Sequence, residues 1–324
     1  MKNQDLKDEK GFFKALYNEM KPTKFIWMNG KYCVWDKAQT HILSHTLHHG
    51  GGAFEGIRLY ATDHAGEKGS ALFRLEDHLK RLEHSVSMFY EKIPFTRQEL
   101  TSAICMLIKK NKIVEGYVRI IVFFGYKNLG VSAQKIPLNV AIAVYPWDYF
   151  NKKSVCVKTS KLIRLHPQSA HLESKIIGHY FNAMLAGREA KKAGYDEALL
   201  LDYRGFVAEG PAENIFIVKK KTLFTPTTYS ILPGITRDTI MKIARNLTIR
   251  VIEKNMKLSE FYAADECFFT GTATEVTPIV KIDNHTIGIG KNPITLQLKQ
   301  AYLDIVQGKN KNYKHWLVKD ISNA

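Results

Sequence analysis

Residues 171–185 read HLESKIIGHYFNAML. Ile176, Ile177, Tyr180, Phe181, Met184 and Leu185 recur at helical spacing and form one apolar stripe, which predicts a helix opening near Lys175. On a helical wheel Lys175 falls opposite the stripe, beside His179 and Asn182. An ordinary solvated lysine sits there, and so does a side chain facing a cleft. Which of the two holds decides whether the flanking strands wall a site between two subdomains. Periodicity alone does not separate them, so the rest of the chain must.

The chain has 324 residues, enough for two domains and a sizeable core. Hydrophobic residues at 45% and charged residues at 24% suit a soluble globular protein, and no apolar run approaches a transmembrane span. The opening MKNQDLKDEKGFFKALYNEMKP is charged and mixed in sign, so it is not expected to be a secretory signal, and its first residues read as frayed. Cys33, Cys105, Cys156 and Cys267 are scattered without a CxxC pair, which suits free thiols in a reducing compartment; a cytoplasmic location is expected. The formal charge of +16 raises the question of nucleic-acid binding. The lysines, however, come in small groups (Lys109, Lys110 and Lys112; Lys152 and Lys153; Lys219, Lys220 and Lys221) and form no basic helix. Solvated turns are expected instead.

The N-terminal half reads as strands with a few helices. FIWMNGKYCVW (25–35) holds an Asn29-Gly30 turn between apolar runs, the signal of a hairpin. GAFEGIRLYA (52–61) and ALFRL (71–75) are further strands, and EDHLKRLEHSVSMF (76–89) has helical periodicity. TRQELTSAICMLIKKN (96–111) is a helix opened by Thr96 and Glu99 at capping-box spacing. GYVRIIVFFG (116–125) and NVAIAVYPW (139–147) read as buried strands, and composition shifts at YPWDYFNKKS (145–154). We expect a small domain over 1–147 with its first ~20 residues an extension, a linker over 148–154, and a larger domain over 155–324. In that second part SVCVKTSKLIR (154–164), EALLLDYRGFVAEG (197–210), NIFIVKKKTLFTPT (214–227), IRVIEKN (249–255) and ECFFTG (266–271) supply strands. Helices follow near ITRDTIMKIARNL (235–247) and TLQLKQAYLDIV (295–306). There is no regular βαβ array, so the fold class is α+β in two subdomains. No GxGxxG follows a strand to open a helix and no GxxxxGK[ST] occurs, which leaves dinucleotide and P-loop chemistry unsupported.

Two segments look built to hold anions. ILPGITRDTI (231–240) passes through a Pro-Gly turn into a helix start, where Ile235 and Thr236 offer free N–H groups. FFTGTATEVTP (268–278) runs a strand into Gly271, Thr272, Ala273 and Thr274. RGFVAEGPAENIF (204–216) places Glu209 and Glu213 around Gly210 and Pro211, either as hydrogen-bonded turn formers or as functional carboxylates. The histidines His41, His45, His48 and His49 have no HExxH pattern and no close cysteine or carboxylate, so no metal site is expected. A lysine, two anion cups and a strand-end carboxylate are what pyridoxal phosphate chemistry needs. The lysine bonds the cofactor, one cup takes its phosphate, and the carboxylate meets the pyridine nitrogen. The second cup suits a substrate carboxylate.

HHGGGAFEGIRLY (48–60), FRLEDHLKRL (73–82), GYVRI (116–120), SKIIGHY (174–180), AEGPAENIF (208–216), LPGITRD (232–238) and TGTATEVTPI (270–279) stand in the order found in branched-chain amino acid aminotransferases. From about Phe25 to the C-terminal helix the chain resembles that family, which consists of pyridoxal phosphate enzymes of fold type IV. The resemblance implies two α/β subdomains with the cofactor site between them and the cofactor bound mainly by the larger. It implies ping-pong transfer of an amino group between L-leucine, L-isoleucine or L-valine and 2-oxoglutarate. By the same resemblance Lys175 matches the Schiff-base lysine and proton shuttle, and Tyr180 a tyrosine bonded to the cofactor's phenolic oxygen. Glu209 matches the carboxylate on the pyridine nitrogen, and Arg74 the phosphate-binding arginine, with Ile235, Thr236 and Thr272 completing the cup. Phe54, Tyr117 and Arg119 match the substrate pocket, Arg119 serving the distal carboxylate of glutamate. The backbone of Thr272 and Ala273 would take the α-carboxylate.

FFGYKNLGVSAQ (123–134), around Leu129 and Val131, resembles a pocket-covering loop that reaches across a dimer interface. At least a homodimer is expected, with no metal, nucleic-acid or membrane partner. His49 departs from a tyrosine common in the family, and the segment holding Tyr149 and Phe150 from an aromatic hydroxyl; His49 could serve as a donor in their place. His179 replaces a common asparagine as tolerated variation. D-amino acid aminotransferases and aminodeoxychorismate lyases share the fold, but FEGIR and Tyr117-Val118-Arg119 fit the branched-chain group better. A basic nucleic-acid-binding protein and a metal-dependent hydrolase built on the histidines are the alternatives from other classes.

Overall fold

Local rules account for the first elements. Asn29 and Gly30 take φ of 49° and 87°, the twist that joins β1 (Phe25–Met28) to β2 (Lys31–Val34) through a two-residue turn. The structure, a computed structural model, describes residues 21–64, 67–147 and 153–319. β3 (Gly52–His64), β4 (Glu67–Phe73), β5 (Gly116–Phe124) and β6 (Leu138–Tyr145) join the hairpin and the C-terminal β16 (Leu317–Val318). Together they form an antiparallel sheet ordered β16-β4-β3-β5-β6-β1-β2. The short helix α1 (His45–His49) leads into β3, and α2 (Leu75–Ser87) and α3 (Arg97–Asn111) cover one face. The expected capping box opens α3: Glu99 N–H donates to Thr96 Oγ1 at 3.2 Å, and Thr96 N–H to Glu99 Oε2 at 2.7 Å.

The second sheet is mixed. Its path is β12 (Val251–Glu253), β11 (Thr222–Thr225), β10 (Asn214–Lys219), β13 (Glu266–Gly271), β14 (Glu275–Ile282), β7 (Val155–Thr159), β8 (Glu197–Leu201) and β9 (Val207–Glu209), with β15 (His285–Thr286) on β14. β14 was not anticipated as a strand; it pairs antiparallel with β13, and β7 runs parallel to both β14 and β8. Period-two alternation sorts the side chains of β10. Phe216 and Val218 pack with α5 (Ile235–Asn246) and α7 (Pro293–Val306), whereas Ile215 and Ile217 pack with Met256 and with Phe261 of α6 (Leu258–Tyr262). The first sheet alternates likewise. Ile57, Leu59 and Leu72 face α2 and α3, while Tyr60, Ala71 and Phe73 enter the core of α5 and α7. The two halves therefore share a core.

The anticipated helix around Lys175 differs from what the structure holds. Lys175 lies in a non-helical stretch, a 3-10 turn spans Ile177–His179, and the helix α4 runs Tyr180–Lys192. Its buried face is Ala183, which lines the cleft between the sheets, and Ala186, Gly187 and Ala190, which lie against β8; Phe181 of the apolar stripe is 63% exposed. Small residues win the inward face because only they allow helix and strand to approach closely. The expected N-terminal extension, and residues 148–152 of the expected linker with Tyr149 and Phe150, lie outside the described residues. Strands of the first sheet end at Tyr145 and those of the second begin at Val155, except that β16 returns to pair with β4. Among the described residues no helix is long and apolar enough to cross a membrane, and no cluster of His, Cys, Asp or Glu could hold a metal.

Candidate active site

Lys175 is fixed by its backbone. Its N–H donates to Ser85 Oγ at 2.9 Å, and its carbonyl accepts from Phe54 N–H at 3.1 Å. Ala53 and Ile176 form an antiparallel bridge, and Gly178 N–H donates to the Gly50 carbonyl. The segment thus lies against the start of β3, and the side chain projects into the cleft between the sheets. There Nζ donates to Tyr180 Oη at 2.7 Å. The Phe54 ring stands edge-on to Tyr180 at 4.7 Å, and Nζ lies 5.1 Å from the Phe54 centroid.

Beyond Phe54 lies Arg119, its guanidinium 4.8 Å from the Phe54 ring and 5.3 Å from that of Tyr117. Gly56 makes room for this layer: a Cβ there would sit 1.7 Å from the Tyr117 hydroxyl. Burial pushes that hydroxyl up to about 12, against the pull of Arg119.

The cleft floor comes from the second sheet. Glu209, buried at the end of β9, accepts from Arg164 Nε at 2.6 Å, from Asn214 Nδ2 at 3.0 Å and from Leu232 N–H at 3.2 Å. Burial raises its pKa while Arg164 pulls the other way, and the net shift is upward. Gly234 precedes α5, and a Cβ there would collide with Asn214 Oδ1 at 1.9 Å. No side chain caps that helix, so Ile235 and Thr236 present its N-terminus to the cleft beside Gly271 and Thr272 at the end of β13. Arg81 completes this end: its Nη1 donates to the Pro233 carbonyl at 3.3 Å.

The amino-transferase class IV family model matches residues 52–282. The branched-chain-amino-acid aminotransferase of Pseudomonas aeruginosa is 40% identical over 297 residues, 90% of this chain and 95% of that protein. That of Escherichia coli is 35% identical over 305 residues, covering 92% and 97%. This chain belongs to the class IV aminotransferases. Among solved structures, a T.th. branched-chain amino acid aminotransferase complexed with N-(5'-phosphopyridoxyl)-L-glutamate superposes on this aminotransferase with a TM-score of 0.87 at 39% identity. That match covers 91% of this chain and 98% of the other. The Thermoproteus uzoniensis branched-chain aminotransferase with norvaline does so with a TM-score of 0.87 at 36% identity, covering 92% and 99%. The class IV enzyme described here is a pyridoxal phosphate-dependent transaminase of fold type IV.

Of the site residues expected for this aminotransferase, Lys175, Tyr180, Glu209, Ile235, Thr236 and Thr272 line one cleft. Phe54 touches it through Tyr180, with Tyr117 and Arg119 behind; Ala273 follows Thr272 in the turn but does not line the cleft. Arg74 is elsewhere. It takes φ 51° at the start of α2, and its Nε donates to Asp77 at 2.6 Å. Its Nη1 donates to Asp238 at 2.6 Å, to Thr239 Oγ1 at 3.0 Å and to the Ile235 carbonyl at 3.2 Å, behind α5. Arg81, seven residues on, lies in the cleft instead.

Arg164 and Asn214 carry no signal of their own in the sequence, whereas Glu213 is expected as a turn former or a functional carboxylate. Asn214 is present only as part of the motif AEGPAENIF. Glu213 lines the cleft, buried, and accepts from Ala212 N–H at 3.0 Å and Thr274 Oγ1 at 3.2 Å. Burial first, and the nearby Glu197 second, push it up to about 8. His179 also lines the cleft, lowered to about 4 by burial and Arg164, and its Nδ1 is buried without a partner among the described residues. His49 Nε2 donates to the Leu129 carbonyl at 3.1 Å, so the donor foreseen for glutamate is committed to the loop.

Proposed function

We propose that this transaminase moves the amino group between leucine, isoleucine or valine and 2-oxoglutarate, with Lys175 as the residue that bonds the cofactor. The observation that carries the reading is Lys175 Nζ held on Tyr180 Oη against Phe54, between a buried carboxylate and an uncapped helix N-terminus. This donor set fits pyridoxal phosphate: an amine for its aldehyde, a phenol for its hydroxyl, a carboxylate for its ring nitrogen and N–H groups for its phosphate. The buried Nδ1 of His179 fits a polar ligand in the same space.

When bound, pyridoxal phosphate supplies the electron sink that makes the substrate Cα–H acidic. Everything else falls to the chain. Lys175 carries the proton to and from the substrate Cα, and the Tyr180 hydroxyl fixes where Nζ rests. Glu209, aligned by Arg164 and Asn214, holds a proton at the ring nitrogen. Arg81, in place of Arg74, holds the phosphate with the N–H groups of Ile235 and Thr236 and the turn at Thr272. The N–H groups of Thr272 and Ala273 receive the α-carboxylate. Phe54 and Tyr117 present apolar surface to a branched side chain. Arg119 meets the distal carboxylate of glutamate, so one pocket serves both partners.

The aminotransferase acts in the cytoplasm as at least a homodimer. Exposed Val131 (79%), Leu129 and Leu47 on one side, and Phe181 and Met184 on another, support burial against a second copy. The domain limits proposed are 1–147 and 155–324. Borohydride reduction of the holoenzyme followed by peptide mapping tests the central assignment. Phosphopyridoxyl label on Lys175 alone is expected; label on another lysine refutes it. Turnover of leucine with 2-oxoglutarate tests the substrates, and a preference for D-alanine would overturn them.

A further inference from the structure

β3 places Ala53, Glu55, Ile57 and Leu59 on the face that packs against α2 and α3. Ala53, Ile57 and Leu59 are core residues; Glu55, equally buried, is a carboxylate among them. Three side-chain hydrogen bonds hold it, beside one from Gly56 N–H to Oε2 at 3.2 Å. Arg81 Nε donates to Oε1 at 2.6 Å and Arg81 Nη2 to Oε2 at 3.0 Å, a forked pair, and His78 Nδ1 donates to Oε2 at 2.7 Å. Burial alone would raise the acid, but Arg81 and His78 hold it well below the usual carboxylate range. Burial also lowers His78, so the pair Glu55 and Arg81 balances its own charge with His78 as a neutral donor.

A buried ion pair contributes little to stability, since an apolar residue of similar size would pack there without desolvating a charge. Its geometry has another use. Two of the three guanidinium nitrogens are engaged by Glu55, and the third, Nη1, is left aimed at the Pro233 carbonyl and the N-terminus of α5. An arginine reaching the cleft from α2 would otherwise sample many rotamers. Holding it beforehand removes that ordering cost from the binding step. Because Glu55 neutralises the charge, the cleft gains a directed donor more than a net positive field.

We propose that Glu55 and His78 are positioning residues that pre-set Arg81 for the phosphate of the cofactor. The inference rests on the reading that Arg81 binds that phosphate. Neither residue touches the cofactor; both act through Arg81. The apo-protein is titrated with pyridoxal 5'-phosphate and, separately, with pyridoxal, which has the same aldehyde and ring but no phosphate. Glu55→Gln is expected to weaken pyridoxal 5'-phosphate about tenfold, the order set by one charge-assisted hydrogen bond, and to leave pyridoxal within about twofold. In an Arg81→Gln background the same change is expected to have no further effect. His78→Leu removes one of the three side-chain bonds and carries the test independently of whether Glu55→Gln folds, with an expected loss of about fivefold confined to pyridoxal 5'-phosphate. Equal weakening of both ligands, additivity with Arg81→Gln, or unchanged affinity in the folded variants overturns the inference. If Arg81→Gln itself leaves pyridoxal 5'-phosphate affinity unchanged, the phosphate assignment fails first.

Discussion

Replacing Glu213 by glutamine is expected to stabilise the apo-protein in alkaline solution and to change little in mild acid. The carboxyl is buried beside the cleft, accepts only from Thr274 and Ala212 among the contacts above, and is pushed up to about 8 by burial and by Glu197. In the unfolded chain it ionises near its ordinary value of 4.5. Between these values the folded chain holds a proton that the unfolded chain has released. Stability therefore falls as pH rises through the window, at up to about 1.4 kcal/mol per pH unit, and levels off above the folded value. Across the interval from 4.5 to about 8 the ceiling is about 5 kcal/mol. Glutamine keeps the shape and cannot ionise, so the variant escapes this loss.

Urea unfolding at pH 5, 7 and 9 reads the difference as a shift in midpoint at constant slope. The parent and the variant are expected to lie within about 1 kcal/mol of each other at pH 5 and to diverge by several kcal/mol at pH 9. Parallel pH profiles would refute the argument, because they would mean that Glu213 is ionised in the folded chain at neutral pH.

Three further outcomes follow from the same contacts. Arg74→Met is expected to cost about 1–3 kcal/mol in unfolding experiments, since Asp77 loses its arginine and Asp238 keeps only Lys242 among the described residues, both carboxylates being partly exposed, and to leave pyridoxal 5'-phosphate affinity within about threefold. A large loss of cofactor would return the phosphate role to Arg74. Glu209→Gln is expected to lower kcat by at least about a hundredfold with cofactor still bound, measured under saturating leucine; near-parental turnover would remove Glu209 from the ring nitrogen. Arg119→Met is expected to raise the KM for 2-oxoglutarate about tenfold or more and that for the leucine-derived oxo acid far less. Equal effects on both would argue that Arg119 supports the pocket without reading the distal carboxylate.

The sequence by itself determined whatever is local in origin. The Asn29-Gly30 hairpin and the Thr96/Glu99 capping box involve neighbours along the chain, whose φ values and side-chain reach are set by residue type. The order of motifs around Lys175, Tyr180, Glu209, Ile235, Thr236 and Thr272 likewise marked residues that meet in one cleft. The tertiary structure alone decided between two arginines in FRLEDHLKRL. Arg74 stands at the left-handed start of α2 and turns behind α5, whereas Arg81, two helical turns later, meets the cleft. That choice depends on how α2 crosses the sheet, which no spacing encodes. It also decided that Glu209 is partnered by Arg164, 45 residues away, and that a carboxylate sits on the core face of β3 to hold Arg81. The Lys175 stretch shows the limit most clearly. Its apolar stripe predicted a helix with a buried face, yet the lysine lies outside the helix, and the buried face is made of alanine and glycine. Periodicity records which side chains avoid water; which surface they avoid it against is settled only when the sheets are in place.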